Sequence, residues 1–401
     1  MPHPTLNLEH SDPPLRVTFS RVGDPATVIV DWRALWAALS EAPKNAGPAQ
    51  SFFLSPLWIE TWLTHHGQRT GNDLWCARIF DADHIRAMGL FCVHKERRRG
   101  LLTVRQLVLH ATGNADMDRI TIEYNDLLCA PQMRVACWQA LLAHLHTAHD
   151  LRWDEIILPG VTSPVAAAVT PAKTSNSIAH HVAAEARSYH VDLNGLRGAG
   201  IPDAMGFLST LSRNTRTQIR RAMRLYEEAG TLSLERADTV EKAKNWFDAL
   251  SHWHTDKWAV MQASSGLSST NQQAFHQSLI EKGIASGHID LLRICVGESP
   301  IGYLYNFVES GTASFYAGGF KREVDNRLKP GLACQVLTTA HYLQGGFSVY
   351  DFMGGDDRYK KSLGTPGQTI VTVHLQGAHL GLTLERWARR VKGRLREKRR
   401  P

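Results

Sequence analysis

The stretch "RLKPGLACQVLTTAHYLQGGFSVYDFMGGDDRYKKSLG", residues 327–364, decides how the chain is read. Pro330 and Gly331 sit where a helix begins, and Gly345 and Gly346 sit where one ends. A helix start leaves backbone N–H groups unpaired and carries partial positive charge. With Arg327 and Lys329 just before it, such a start suits a pyrophosphate. Gly331 and Ala333, flanking Leu332, let a ligand come close to the backbone; the plainer alternative is an ordinary helix opening. The strand "FSVYDFMGG" follows, then a crowded charge cluster, Asp356, Asp357, Arg358, Lys360 and Lys361. Gly354 and Gly355 permit a turn with positive φ. Asp351 and Asp356 are candidate proton acceptors for an amine or hydroxyl nucleophile, and Lys360 a candidate anion holder. Tyr359 is a candidate proton donor to a leaving group. The alternative for this cluster is a charged turn with local ion pairs.

Working outward, "HIDLLRICVG", "IGYLYNFVE" and "ASFYAGGF" are three strand candidates ahead of the helix, and "TIVTVHLQ" is one after it. Residues 239–261 are expected to be helical with a Trp-rich face. His252, Trp253, Asp256 and Lys257 on it are either cleft-lining or core-side residues. "DAMGFLSTLSRNTRTQIRRAMRLYEEAG" reads as a helix stopping at Gly230. Arg213, Arg216, Arg220 and Arg224 share one face of it, and Leu211, Ile219 and Tyr226 another. Four arginines in a row repel one another unless anions are near. The row is either a solvated face or a clamp for phosphate or carboxylate groups.

The first half repeats the theme. Leu57, Trp58, Trp62 and Leu63 recur at helical spacing up to Gly67. "DLWCARIF", "IRAMGLFCVHKE" and "LTVRQLVLH" read as strands, 131–149 as a helix and "WDEIILPGV" as a strand. Residues 161–186 are small and read as a surface helix with a loop, before "SYHVDLNG" resumes a strand. Residues 1–50 read as a loosely held leading segment around a strand-like "ATVIVDW". Both halves follow the order sheet, helix, strand, and the join is placed near residue 190.

At 401 residues the chain is long for one hydrophobic core and favours two domains. Hydrophobic residues are 43% and charged residues 21%, a globular balance. No apolar run reaches the roughly 20 residues of a membrane span, and no secretory leader is visible. A cytoplasmic protein is the expectation. Six cysteines stand singly, as expected of reduced, buried thiols, and no metal-ligand set is apparent. The formal net charge is +7, much of it in "ERWARRVKGRLREKRRP" at the end. That tail reads as a solvated basic helix, or as a contact with an anionic membrane face or RNA.

With these landmarks in order, the chain resembles the GNAT-fold acyltransferases of the cellulose-biosynthesis type (CelD/BcsL-like proteins), relatives of the FemAB peptidoglycan aminoacyltransferases. The residues that carry the resemblance are "SPLWIETWLTHHG", "WDEIILPGV", "LSRNTRTQIRRAMRLYEEAG", "HWHTDKW", "PIGYLYNFVESGTASFYAGGF" and the opening stretch. They span roughly residues 50–375. The resemblance implies an α+β fold of two tandem GNAT-like halves, each a mixed, mostly antiparallel sheet flanked by helices. The expected division is residues 1–50, 51–190, 191–378 and 379–401: a leading segment, two GNAT-like domains and a basic tail. The C-terminal domain is expected to carry the acyl-donor site, with Arg327, Lys329, Gly331, Leu332 and Ala333 around the donor. Asp351, Asp356, Tyr359 and Lys360 are the catalytic candidates, and Arg216, Arg220, Trp258 and Tyr316 the acceptor-binding ones. The GNAT pyrophosphate loop usually reads Arg/Gln-x-x-Gly-x-Gly/Ala. "NRLKPGLAC" keeps its last part, Gly331 and Ala333, and only loosely the first. The implied co-substrate is acetyl-CoA or another acyl-CoA, and the implied acceptor is an amine or hydroxyl of a sugar, polysaccharide or envelope precursor. The FemAB relatives imply aminoacyl-tRNA as the alternative donor, and a non-catalytic module in exopolysaccharide assembly is a third reading.

Overall fold

The computed structural model describes residues 15–41, 51–67, 73–98, 102–147, 151–170, 178–260, 266–377, 379 and 381–383, the side chains of 258–260 excepted. The first half runs β1 (Arg16–Arg21), α1 (Pro25–Glu41), α2 (Pro56–Trp62), β2 (Asp73–Asp81), β3 (His84–Arg98), β4 (Leu102–Leu109), β5 (Leu128–Cys129), α3 (Arg134–Thr147), β6 (Glu155–Thr162) and α4 (Ser163–Ala168). The chain continues through β7 (Ala179–Asp192), α5 (Leu193–Gly198), α6 (Ala204–Thr210), α7 (Arg213–Ala229), β8 (Leu232–Arg236), α8 (Val240–Val260) and α9 (Thr270–Gly283). It ends with β9 (Ile289–Val296), β10 (Ser299–Glu309), β11 (Thr312–Phe320), α10 (Pro330–Gln344), β12 (Val349–Gly354), α11 (Arg358–Leu363) and β13 (Thr365–Gln376).

All these strands join one sheet, in the order β1-β2-β3-β4-β6-β13-β7-β12-β11-β10-β9-β8, with β5 against β3. Two neighbouring pairs are parallel, β4 with β6 and β11 with β12; each needs a crossover, supplied by α3 and α10. Both contacts are short: the end of β4, Gln106–Val108, pairs with the start of β6, Glu155–Ile157, and the start of β11, Thr312–Ser314, with the start of β12, Val349–Asp351. Past those points the strands diverge, so each half has a splay at its centre. β7 hydrogen-bonds β12 on one side and β13 on the other, and residue 190 falls within it. β13 returns to the first half along β6.

The halves share a core. Phe52 stacks on Phe307 at 4.3 Å between centroids, and Trp58 meets Phe275 and Phe307 edge-on. Trp58, Phe247, Phe275 and Phe307 are fully buried there.

Three expectations are corrected. "ATVIVDW" is helical, not a strand: it belongs to α1, where Asp24 accepts the Ala26 N–H, Pro25 sits in the first turn, and Val28, Trp32 and Leu35 bury one face. Among the described residues of 161–186 the helix is the short α4 alone, and residues from 179 onward are in β7, recruited by pairing with β13. The single helix expected over 203–230 is two, α6 and α7, because Ser212 caps a new start by accepting the Thr215 N–H.

One ion cluster fastens the first splay at its base. The fully buried Glu155 accepts from Arg98 at 2.6 Å, Gln376 at 2.7 Å, Gln106 at 2.9 Å and His374 Nδ1 at 3.0 Å. Burial works against its charge, but the hydrogen bonds from His374 and Gln376 and the Arg98 charge outweigh it, lowering its pKa to about 2. The carboxylate therefore stabilises the fold above the ordinary Glu value near 4.3, and the contribution fades as pH falls through about 2. Glu155→Gln is expected to cost about 3 kcal/mol in urea unfolding at pH 7. The deficit should shrink towards pH 2; a deficit that does not change with pH would count against this account.

Candidate active site

The second splay lies between β11 and β12. Beyond Ser314 the β11 edge facing β12 has no ladder partner. On the other edge Tyr305 pairs with Ala317 and Asn306 with Phe315, so Tyr316 is a bulged residue with no partner on β10. Helix α10 starts beside the open end of the splay. It has no side-chain cap, Pro330 is at its first position, and the Ala333 N–H already bonds the Lys329 carbonyl. The amides of Gly331 and Leu332 precede that first bond and point out of the helix end. Phe320 lies against the face of Gly331, at 3.6 Å from where a Cβ would be. Tyr359 on α11 meets Phe315 and Phe352 edge-on, one ring from each side of the splay.

The first half reaches into this place through residues 122–125. Glu123 Oε2 accepts the Gly354 N–H at 2.7 Å, at the last residue of β12. Tyr124 donates to Asp351 and accepts from Ser188. Asp351 Oδ1 also accepts the Met353 N–H at 2.8 Å. Tyr124 (φ 52°) and Met353 (φ 61°) both sit in the left-handed region, which is costly for side chains of that size. The buried Lys360 ammonium donates to the carbonyls of Met353 and Gly354. Each ionisable group here is displaced mainly by burial: the carboxyls of Glu123 and Asp351 and the Tyr359 phenol are raised, and Lys360 is lowered. Lys360 faces Glu123, Asp357 and Asp351, whose charges hold its proton against that burial.

Glu123 and Tyr124 also divide two cavities. Glu123 lines one of about 520 Å³ with His94, Arg98, Asp118, Glu185 and His374. Tyr124 lines another of about 500 Å³ with Ser188, His190, Ser314 and Asp351.

The first half's own splay is closed by the same segment. Buried Asn125 donates to the carbonyls of Leu109 on β4, at 3.2 Å, and Pro159 on β6, at 2.9 Å. Its Oδ1 lies 2.8 Å from His110 Nδ1, and its N–H bonds the Gly160 carbonyl. Because the amide nitrogen is committed to two carbonyls, Oδ1 is the acceptor and His110 carries its proton on Nδ1. Burial lowers the pKa of that imidazole to about 4, so it is neutral at pH 7.

Asp351, Tyr359 and Lys360 are therefore brought together. Asp356 is not among them: it is exposed and pairs with Lys361 at 3.0 Å. Arg327 is clamped by Asp325, at 2.6–2.9 Å, and Lys329 is the residue before the first helical one. Ala333 points into the core, so its side chain faces away from the helix end. Arg216 bonds the carbonyls of Ser209 and Leu211 and closes the α6–α7 corner, whereas Arg220 is exposed. The Tyr316 phenol donates to the Ile120 carbonyl at 2.7 Å, tying the halves together. The Trp258 side chain and the basic tail lie outside the described residues. Glu123, Tyr124, Ser188 and His190 escaped the sequence reading; the only local signal is "EYND" at 123–126, polar and aromatic between a strand and a helix.

Residues 213–361 match the family model of the acetyltransferase (GNAT) domain. The chain is an acyltransferase. Among solved structures it is similar to FemX, with 10% identity over 91% of this chain and 98% of that one, and a TM-score of 0.55. It is also similar to a conserved protein of unknown function from Bacteroides thetaiotaomicron, with 12% identity over 90% and 100% and a TM-score of 0.50. At such identities the likeness speaks for the fold, tandem GNAT-like halves in one α+β chain. No curated protein sequence matches the chain. Among the described residues no helix of this acyltransferase is long and apolar enough to cross a membrane.

Gly160 allows residues 122–125 to lie where they do. Its φ is 65°, and a Cβ there would be 2.0 Å from the Ile122 carbonyl oxygen. Gly160→Ala is expected to lower stability by about 3 kcal/mol, from overpacking and backbone strain together. A urea midpoint within error of the wild type would show that the segment tolerates displacement.

Proposed function

We propose that the protein transfers an acyl group from acyl-CoA, acetyl-CoA in the first instance, to an amine or hydroxyl of a sugar, polysaccharide or cell-envelope precursor. The observation that supports this reading best is the open splay between β11 and β12 beside an uncapped helix start. A thioester chain lying in the splay would complete the ladder that the strands leave unmade. Its pyrophosphate would meet the amides of Gly331 and Leu332 and the positive end of α10. An amide at the bulge near Tyr316 would polarise the thioester carbonyl. The acceptor would attack directly, forming a tetrahedral intermediate with no covalent enzyme species. The Tyr359 phenol would protonate the leaving thiolate. Thiol nucleophilicity is not called on: burial pushes Cys76 up to about 12 and Cys137 to about 11.

A second reading has one observation in its favour. Arg213, Arg220, Arg221 and Arg224 are exposed along α7, and the Arg221 charge reaches Asp325 in the loop before α10. A cationic face beside the donor loop also suits an aminoacyl-tRNA. Filter binding of aminoacylated and uncharged tRNA across a salt series tests it; both lose affinity with salt on a basic face, and a preference for the aminoacylated form that persists as salt rises is expected only if aminoacyl-tRNA is the donor.

Calorimetric titration with acetyl-CoA and CoA tests the first reading. Binding of both is expected, and Gly331→Trp should abolish it while the circular dichroism stays native, because the indole would fill the space before Phe320. No binding at millimolar ligand would sink the acyl-CoA reading. Unchanged affinity in the variant would mean that the donor lies elsewhere.

A further inference from the structure

We propose that Glu123, contributed by the first half, is the proton acceptor for the attacking group, and that the acceptor substrate enters through the 520 Å³ cavity that Glu123 lines. The assignment rests on the acyl-transfer reading above. Glu123 is the side chain common to both sides of the reaction. It lines the cavity, and it bonds the last residue of β12 at 2.7 Å. Its charge reaches Tyr316 at the bulge, Tyr359 in the splay and Lys360. An acceptor in the cavity and a thioester in the splay would thus meet beside one carboxylate.

Asp351 is the rival, and its hydrogen bonds argue against it. It accepts from both Tyr124 and the Met353 N–H, which fix β12 in its strained end, and it opens onto the other cavity. Glu123 uses only Oε2 in this way; among the described residues Oε1 accepts no hydrogen bond. The groups facing Glu123 are Lys360 and Tyr359 from α11, Asp351 from β12 and Tyr316 from β11, with His94, Asp118 and Glu185 around the same cavity. Burial and Asp351 raise its proton affinity; the Gly354 N–H and Lys360 lower it, and burial prevails. A carboxylate so placed accepts a proton more readily than an exposed one.

The step balances without a further reactant. The acceptor nitrogen or oxygen forms the new bond to the acyl carbon, the C–S bond breaks, and the acceptor's proton passes to Glu123 Oε1. The thiolate takes a proton from Tyr359. Glu123 then gives its proton to solvent and Tyr359 regains one, so the net movement is one proton from acceptor to sulfur. The lining of both charges, Arg98 with Asp118 and Glu185, fits a polar acceptor bearing amine or hydroxyl groups.

Glu123→Gln keeps an oxygen for the Gly354 N–H and removes the base. With acetyl-CoA and glucosamine as probes, thiol release should fall at least about 100-fold. Acetyl-CoA affinity should be unchanged, and the limb of the pH–rate profile that rises with pH through the Glu123 titration should vanish. Release within threefold of the wild type, with that limb kept, would overturn the assignment. An infrared titration needs no turnover: the protonated carboxyl band that Glu123→Gln removes should disappear by pH 8. A band persisting at pH 8 would also overturn it, since that carboxyl could not accept a proton. Failure of wild-type protein to bind acetyl-CoA would remove the donor reading alone, because the infrared result stands apart from it.

Discussion

The site depends on where Asn125 is held. Its one side-chain amide joins two diverging strands, β4 and β6, through the carbonyls of Leu109 and Pro159, and its oxygen meets His110. Asn125, Leu109 and His110 are buried, so leaving the amide, the Leu109 carbonyl or the imidazole unpaired would cost about 1–3 kcal/mol each. The amide therefore has little freedom, and the residues just before it inherit its position. Glu123 and Tyr124 are carried to the end of β12, where they bond Gly354 and Asp351. Tyr316 makes the reciprocal contact, from β11 back to Ile120. A tandem fold could place its halves side by side as independent units. Here the closed splay of one half anchors the segment that completes the open splay of the other.

Electrostatics follow from that placement. Three carboxylates, Glu123, Asp351 and Asp357, surround one buried ammonium, Lys360. The Asp351 charge raises the proton affinity of Glu123, and the Lys360 ammonium offsets part of that effect. Lys360 also holds the carbonyls of Met353 and Gly354, so its charge and its hydrogen bonds act on the same turn. The left-handed backbone at Met353 is maintained by Asp351 on one side and Lys360 on the other. The opening stretch is then neither a loose charged turn nor a set of equivalent acids. Lys360 and Tyr359 turn inward on α11, Asp356 and Lys361 pair outward, and Gly355, at φ 133°, makes the reversal between β12 and α11.

Much of the second half was legible because its elements are regular. β11 alternates buried and half-buried residues, and α10 is bounded by Pro330 and Gly345. The run Val28-Ile29-Val30 misled because β-branched residues favour strands locally, while the spacing of Val28, Trp32 and Leu35 was the stronger fact. The charge of Arg327 is plain in the sequence, but Asp325, two residues away, pairs with it and takes up its guanidinium. Glu123 was out of reach for a different reason: its bond to Gly354 spans 231 positions, and no local pattern encodes a contact of that separation. The parts of the site made within one element could be read; the parts made between halves required the sheet.

The two splays show how one architecture can serve packing or chemistry. A pair of parallel strands that separates leaves backbone groups unpaired on both inner edges, and such groups need partners. In the first half the chain supplies them itself, through Asn125 and its bridge to Val161. In the second half no segment of the described chain lies between β11 and β12 in that way, and only Tyr359 stands at its base. Unmade backbone hydrogen bonds favour an extended ligand that can lie along a strand edge, and the pantetheine arm of an acyl-CoA has amides to offer there. The same physical demand that seals one half thus selects the kind of molecule suited to the other.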